Sequence, residues 1–305
     1  MAEHNKKRKR TLTAIYNKIM KYRYYIVDAF TDQPFGGNPA GVVLLGKGES
    51  FPSEELMQHI AAELRYSETA FVQPQSATEY TTRYFTPLSE VDLCGHATIA
   101  TFGVLRHEGV ASDGNCLNHT LAGDLTVTVG EKLMMQMAKP KQIASIDQPD
   151  ELERLCHIMT ARIPSMPVAI VTAGLPDIIL PVEGLKELNA LHPDMEALAD
   201  FSREKKVVGV HAFALTHDPA DSSTAHVRNF APLYGVNEES ATGTANAALL
   251  HYLHLNGIVS APSECSFVQG EAMRRPSIVS AKLGPDGGIF VGGQCRIIAK
   301  GDLLV

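Results

Sequence analysis

The sequence predicts an α+β protein of two pseudo-symmetric lobes, and three observations predict it. A chain of 305 residues is long enough for two lobes of ordinary domain size, each burying its own core. Runs rich in β-branched and aromatic residues alternate with helical stretches, without the strict strand-helix-strand order of a doubly wound sheet. One strand-plus-helix segment occurs twice.

Tyr24 to Phe30 reads as a strand, and Gly36-Gly37-Asn38-Pro39 as a turn into a second one, Ala40 to Leu45, the two forming a hairpin. Pro52-Ser53 followed by Leu56, Met57, Ile60 and Leu64 predicts a capped helix with one apolar face, ending near Tyr66. Strands at Thr69 to Val72 and Thr81 to Phe85 follow. A helix near Ala97 to Glu108, ended by Gly109, and an alternating strand from Leu125 to Val129 then close a first lobe that spans residues 21–140. The polar stretch Lys139 to Asp150 is the expected linker.

The second lobe, residues 150–305, repeats the order. A helix near Glu151 to Thr160 precedes strands at Val168 to Thr172 and Ile178 to Pro181, and a helix pair is interrupted by Pro193. Strands at Val207 to Leu215 and His226 to Phe230 lead to a second Gly-ended helix, about Ala245 to Asn256. Strands around Cys265 to Gln269, Ser277 to Leu283 and Ile289 to Ile298 finish the chain, the last a candidate to cross to the first lobe.

Composition narrows the function classes. Apolar residues make up 45% and charged residues 20%, and no apolar run approaches the roughly 18 to 20 residues of a membrane span, so a cytoplasmic protein is expected. The net charge is −7, and residues 1–23 hold eight Lys and Arg against Glu3, leaving about −14 on the remainder, which would repel nucleic acid. Lys6-Lys7-Arg8-Lys9-Arg10 belongs to an expected solvated, disordered extension over residues 1–20. Cys94, Cys116, Cys156, Cys265 and Cys295 are odd in number, widely spaced and free of CxxC pairs, which speaks against a disulfide framework or a zinc ribbon. No histidine stands in HxxxH or HxH, and no Walker sequence or GxGxxG follows a strand, so neither a metal nor a cofactor is expected.

The duplication aligns Arg83 to Val91, RYFTPLSEV, with Arg228 to Val236, RNFAPLYGV, keeping Arg, Phe, Pro, Leu and Val in register. Gly95 to Gly109, GHATIATFGVLRHEG, likewise matches Gly243 to Gly257, GTANAALLHYLHLNG. Two blocks in the same order, strand then helix, argue against chance. Duplicated halves packed about a pseudo-two-fold axis would bring the two helix N-termini face to face across a cleft. A glycine at each mouth, Gly95 and Gly243, lets an anion approach unpaired backbone N–H groups, where the helix dipole favours negative charge.

Three side chains near these mouths carry both a chemical and a plainer reading. Glu68, in a helix-to-strand turn, fits a proton shuttle or a solvated cap; His96, one residue inside the first mouth, fits a proton relay or a satisfied capping histidine. Cys94 fits a thiol base or a small packed residue.

At these positions the sequence resembles the phenazine-biosynthesis PhzF-like family. The motifs are Val27-Asp28-Ala29-Phe30-Thr31 with Gly37-Asn38-Pro39, then Ser67-Glu68-Thr69-Ala70-Phe71, Cys94-Gly95-His96-Ala97-Thr98 and Ala241-Thr242-Gly243-Thr244-Ala245. The resemblance implies the diaminopimelate-epimerase fold, in which each lobe wraps a barrel-like sheet around a central helix. It also implies cofactor-free isomerisation of a small carboxylic acid by proton shuttling in a homodimer. By it, Glu68, His96 and Glu239 are the catalytic residues, and Asn38, Ser67, Gly95, Gly243 and Thr244 the substrate contacts. The family usually has Asp then Pro where this chain has Glu239 then Ser240. Related epimerases place a thiol on each mouth; Cys94 fits the first place and Ser240 the second, so a Cys94-dependent epimerase or dehydratase of an amino or hydroxy acid is the alternative, and a non-catalytic metabolite-binding protein a third.

Overall fold

Two helices of this chain are apolar on every face, so neither can lie on a surface. They organise everything else in the computed structural model, which describes residues 20–146, 150–157, 163 and 165–305. The helices are α1 (Glu54–Leu64), α2 (Gly95–His107), α3 (Asp150–Cys156), α4 (Leu185–Asn189), α5 (Met195–Lys205) and α6 (Gly243–Leu255). Every residue of α2 from His96 to Leu105 is buried, and α6 is buried almost as completely. Gly109 and Gly257, at φ 66° and 71°, end α2 and α6 in the left-handed conformation that a side chain would disfavour.

Strands wrap each of the two helices in the same order. In the first lobe the sheet runs Cys295–Leu304, Lys21–Ala29, Asn38–Leu44, Thr69–Pro74, Glu79–Phe85, Gly114–Thr120, Gly123–Val129, Leu133–Gln136. In the second it runs Lys141–Ser145, Ala169–Thr172, Pro176–Pro181, Val210–Leu215, Ala225–Ala231, Ser263–Gln269, Ser277–Leu283, Ile289–Gly293. Both are antiparallel except at the third-fourth and fifth-sixth pairs, which are parallel. Those parallel pairs need helical crossovers. The outer helices α1 and α4–α5 supply the first in each lobe, and the central helices α2 and α6 the second.

Leu133–Gln136 pairs with Ile289–Gly293, so the two lobes form one sheet of 18 strands. Inside it lies a continuous apolar core drawn from both lobes and both central helices. A second layer covers the outside. Met57, Ile60 and Ala61 of α1 pack on Val43, Phe71 and Phe85, while Leu152, Leu188, Leu198 and Phe201 pack on Ile178, Leu180 and Val210. The Ser53 hydroxyl accepts from Leu56 N–H at 3.3 Å, the cap expected for α1.

Several expectations are corrected. The stretch expected to be a linker carries the strand Lys141–Ser145, which pairs with Ala169–Thr172. The first lobe does not close at Val129, because Leu133–Gln136 follows, and the polar strand Gly114–Thr120 went unread. The single terminal strand breaks at Gln294: Ile289–Gly293 stays in the second lobe and Cys295–Leu304 pairs with Lys21–Ala29 of the first. Residues 1–19 of the expected basic extension, and the expected end of the helix at Thr160, lie outside the described residues.

Candidate active site

The first lobe brings its polar side chains together at the mouth of α2. Helix α1 ends at Arg65 in the left-handed conformation, and the Glu68 carbonyl then accepts from Gly41 N–H at 3.1 Å, which places Ser67 and Glu68 at the head of the strand Thr69–Pro74. His96 stands on the first turn of α2. Its Nε2 lies 3.1 Å from Glu68 Oε2 and 3.3 Å from Ser67 Oγ, and its Nδ1 lies 3.4 Å from Cys94 Sγ. From the second lobe, Glu239 and Ala241 reach the same spot through Asn38, whose amide nitrogen lies 3.1 Å from Glu239 Oε2, 3.0 Å from the Ala241 carbonyl and 3.3 Å from His96 Nδ1. One amide thus touches residues beside both mouths.

Electrostatics divide the labour. Burial works against the Glu68 charge, but His96 and the hydrogen bonds of His96, Ser67 and Cys94 outweigh it and hold the carboxyl below its usual range. Burial likewise opposes a charge on His96, and the hydrogen bond with Cys94 and the contact with Glu68 overcome it, raising its pKa well above the ordinary value. Burial and the neighbouring Glu68 push the Cys94 thiol up, so it is held as a thiol. Burial also raises Glu239, partly offset by His96 and reinforced by Glu68. The site thus pulls Glu68 toward its ionised form, His96 toward its protonated form and Glu239 toward its acid form.

The mouths themselves are open. Neither Cys94 nor Thr242, the N-cap residues of α2 and α6, makes a side-chain cap bond to its helix. Gly95 and Gly243 open these helices, and a Cβ on either would meet neighbouring side chains only at 3.6 Å or more, so no backbone strain demands glycine there. Thr244 is half-buried, and its hydroxyl has no hydrogen-bond partner among the described residues.

Behind α6 lies a polar network that the sequence did not reveal. Gln269 donates to the Glu239 carbonyl (2.8 Å) and accepts from Thr242 N–H (3.1 Å) and Asn246 (2.9 Å). Asn246 Oδ1 lies 3.3 Å from His211 Nε2, and His211 Nδ1 lies 3.3 Å from Asn229 Nδ2. Burial lowers His211 to about 4, so it is neutral; the donor at Asn229 then makes Nδ1 the acceptor and Nε2 the protonated nitrogen. Asp177 is buried beside Asn229, its Oδ1 has no partner, and burial raises its pKa to about 7.

Ser240 does not hold the second thiol's place. Its hydroxyl donates to the Gly37 carbonyl at 2.9 Å, and the residue equivalent to Cys94 ahead of the second helix is Thr242. The donor atoms of Glu68, Cys94 and His96 lie within 4.8 Å of one another, a grouping that could hold a metal ion. An ion there would have to break the His96–Glu68 contact and ionise a thiol that burial keeps protonated. Two cavities elsewhere, about 600 Å³ beside Arg228 and Glu271 and about 670 Å³ beside Arg23 and Lys47, contain none of these residues. No described helix is long and apolar enough to cross a membrane.

Solved structures identify the class to which this geometry belongs. A hydroxyproline epimerase of Agrobacterium vitis superposes with a TM-score of 0.60 over 93% of each chain at 13% identity, a likeness of fold alone. Relatives 32–33% identical over most of the chain are named isomerases, so the protein is an isomerase-type enzyme, on the two-lobed epimerase-like fold. More narrowly, the model of the phenazine biosynthesis-like (PhzC-PhzF) proteins matches residues 27–294, and the chain belongs to that family. A PhzF-family protein of Bacillus anthracis superposes with a TM-score of 0.83 at 26% identity, covering 94% of this chain and 100% of that one. An uncharacterized isomerase of Clostridium acetobutylicum is 32% identical over 309 residues, covering 94% of this chain and 99% of its own.

Proposed function

We propose that this enzyme is a cofactor-independent isomerase that moves a proton between carbons of a small carboxylic-acid metabolite. The observation that carries the reading is the buried contact of Glu68 with His96, 3.1 Å apart at the mouth of α2. Such a reaction needs a base, a route for the proton and stabilisation of the enolate-like charge between. Glu68, whose carboxyl is held below its usual range, is the base and returns the proton as acid; His96, whose pKa is raised by its neighbours, donates to the developing oxyanion. Glu239 serves as the second acid, and Asn38 and Ser67 orient the pair. The substrate carboxylate is taken by the backbone N–H groups behind Gly95 and Gly243, with the Thr244 hydroxyl beside them.

The test requires no prior substrate. A panel of small amino, hydroxy and unsaturated acids is incubated in deuterium oxide with enzyme, and loss of carbon-bound proton signals is followed by NMR. Exchange by the wild type that disappears in Glu68→Gln supports the shuttle; exchange that survives in Glu68→Gln removes it. The functional unit is proposed to be a homodimer, as the family resemblance implies. Light scattering should return twice the 33.0 kDa chain mass, and a single-chain mass at every concentration would refute the dimer.

A further inference from the structure

The turn ahead of Asn38 is shaped from the opposite lobe. Gly37 has φ 59°, and a Cβ on it would lie 2.1 Å from the Ala29 carbonyl oxygen, while one on Gly36 would lie 2.7 Å from that of Pro276. Gly36 N–H donates to the Gln33 carbonyl of its own loop at 3.5 Å, but both carbonyls of the Gly36-Gly37 pair and the Gly37 N–H are taken by second-lobe residues. Gly37 N–H donates to the Pro276 carbonyl at 3.0 Å. The Gly37 carbonyl accepts from Ser240 Oγ at 2.9 Å and from Arg275 Nε at 3.1 Å. Arg275 Nη2 donates to the Gly36 carbonyl and to Asp28 Oδ1, each at 2.8 Å. Asp28 is buried and also accepts from Phe35 N–H at 3.0 Å, so the same carboxylate fixes the guanidinium and the far side of the loop.

Arg275 sits between the strands Ser263–Gln269 and Ser277–Leu283, and its planar fork spans two successive carbonyls of the first lobe. The next residue after those carbonyls is Asn38, whose amide reaches Glu239 and Ala241 on one side and His96 on the other. We infer that Arg275 is a positioning residue of the active site: by gripping the Gly36 and Gly37 carbonyls from the second lobe, it sets Asn38 so that one amide spans His96 and Glu239. Arg275 itself touches none of the ionisable groups at the mouth of α2. Asp28, a motif residue with no place in the proton shuttle, acquires a role as the anchor of that guanidinium.

The role predicts a signature that a plain stabilising contact lacks. The groups facing His96 are Glu68, Ser67, Cys94 and Asn38, with Glu239 acting through space; of those in direct contact, Asn38 alone adjoins the carbonyls that Arg275 grips. The titration of the His96 ring, followed by long-range proton-nitrogen NMR, is compared in the wild type, Asn38→Ala, Arg275→Met and the double variant, with Tm recorded for each. The expected result is that Arg275→Met displaces the His96 midpoint in the same sense as Asn38→Ala, and that the double variant moves it no further than Asn38→Ala alone. A lowered Tm with an unmoved His96 midpoint overturns the inference, as does a shift that adds in full to that of Asn38→Ala. If Arg275→Met does not fold, Ser240→Ala and Arg275→Lys weaken the same grip and are judged by the same two outcomes. This readout is independent of the reaction performed, so a failed proton shuttle and a failed positioning role are told apart.

Discussion

The two lobes share a plan and differ in what they place on it. The strand register makes the difference exact to the residue. In the first lobe Gly41 pairs with Thr69 and Thr69 with Phe85; in the second Ile178 pairs with Val210 and Val210 with Phe230, the phenylalanine that matches Phe85 in the repeat. Glu68 therefore corresponds to Gly209, where a Cβ would lie only 1.8 Å from the Phe230 carbonyl oxygen. No carboxylate can occupy that corner of the second lobe. By the same register Ala40 corresponds to Asp177, Ala70 to His211 and Tyr84 to Asn229.

The first lobe thus keeps Glu68 and His96 at its helix mouth over a buried network of neutral groups, Thr82, Tyr84, Thr98 and Asn118, and the second keeps the Thr242 and Thr244 hydroxyls at its mouth, with Glu239 beside them, over a buried network that includes titratable Asp177 and His211. Other parts of the plan were left alone. Arg83 pairs with Glu90 and lies over Phe85, as Arg228 pairs with Glu238 and lies over Phe230. Duplication supplied two mouths, and divergence set different polar groups behind each.

The comparison breaks most readily at Glu68. Glu68→Gln should slow turnover by about 10² to 10⁴-fold, while Cys94→Ala changes it little, because the thiol is held protonated and has a threonine as its counterpart. The reverse pattern would move the chemistry to the thiol. Gly209→Ala should cost roughly 1 to 3 kcal/mol of stability, since the new atom meets backbone rather than a movable side chain; an unchanged denaturation midpoint would dissolve the Glu68–Gly209 correspondence.

A smaller effect is expected at Asp177, whose pKa in the fold is about 7 against an ordinary 3.8. The unfolded chain releases this proton from about pH 4, whereas the fold retains it to about 7, so stability is lost as pH rises through that window. Asp177→Asn does not titrate there. Its Tm relative to wild type should climb between pH 4 and pH 8, by about 2 to 4 °C for each kcal/mol recovered. A difference constant with pH would mean that the carboxyl ionises freely in the fold.

The repeat made the lobes and their central helices legible, because strand and helix spacing within each block is preserved. Asn38, Ser67, Glu68, Cys94, His96 and Glu239 could be singled out from motifs, and the fold brings them to one place. Thr242 was missed as the partner of Cys94 because three extra residues separate the matched arginine and glycine in the second block. Asp177, His211, Asn246 and Gln269 come from four separate elements, and nothing local marks a polar residue as buried. Gly114–Thr120 was passed over because its Asn, His and Gly break the alternation that marks a strand.

The crossing of Cys295–Leu304 into the first lobe bears on how the molecule is made. A ribosome delivers the strand Lys21–Ala29 well before its neighbour Cys295–Leu304, so the first lobe waits with that edge unpaired while the second lobe is made. The missing strand also closes over α2, where Gly103 approaches Cys295 so tightly that a Cβ would collide with its sulfur. The second lobe has its equivalent strand, Lys141–Ser145, already in hand when its own residues emerge. The half that carries Glu68 and His96 is consequently completed after the other, its wall around α2 closed only when Cys295–Leu304 has emerged.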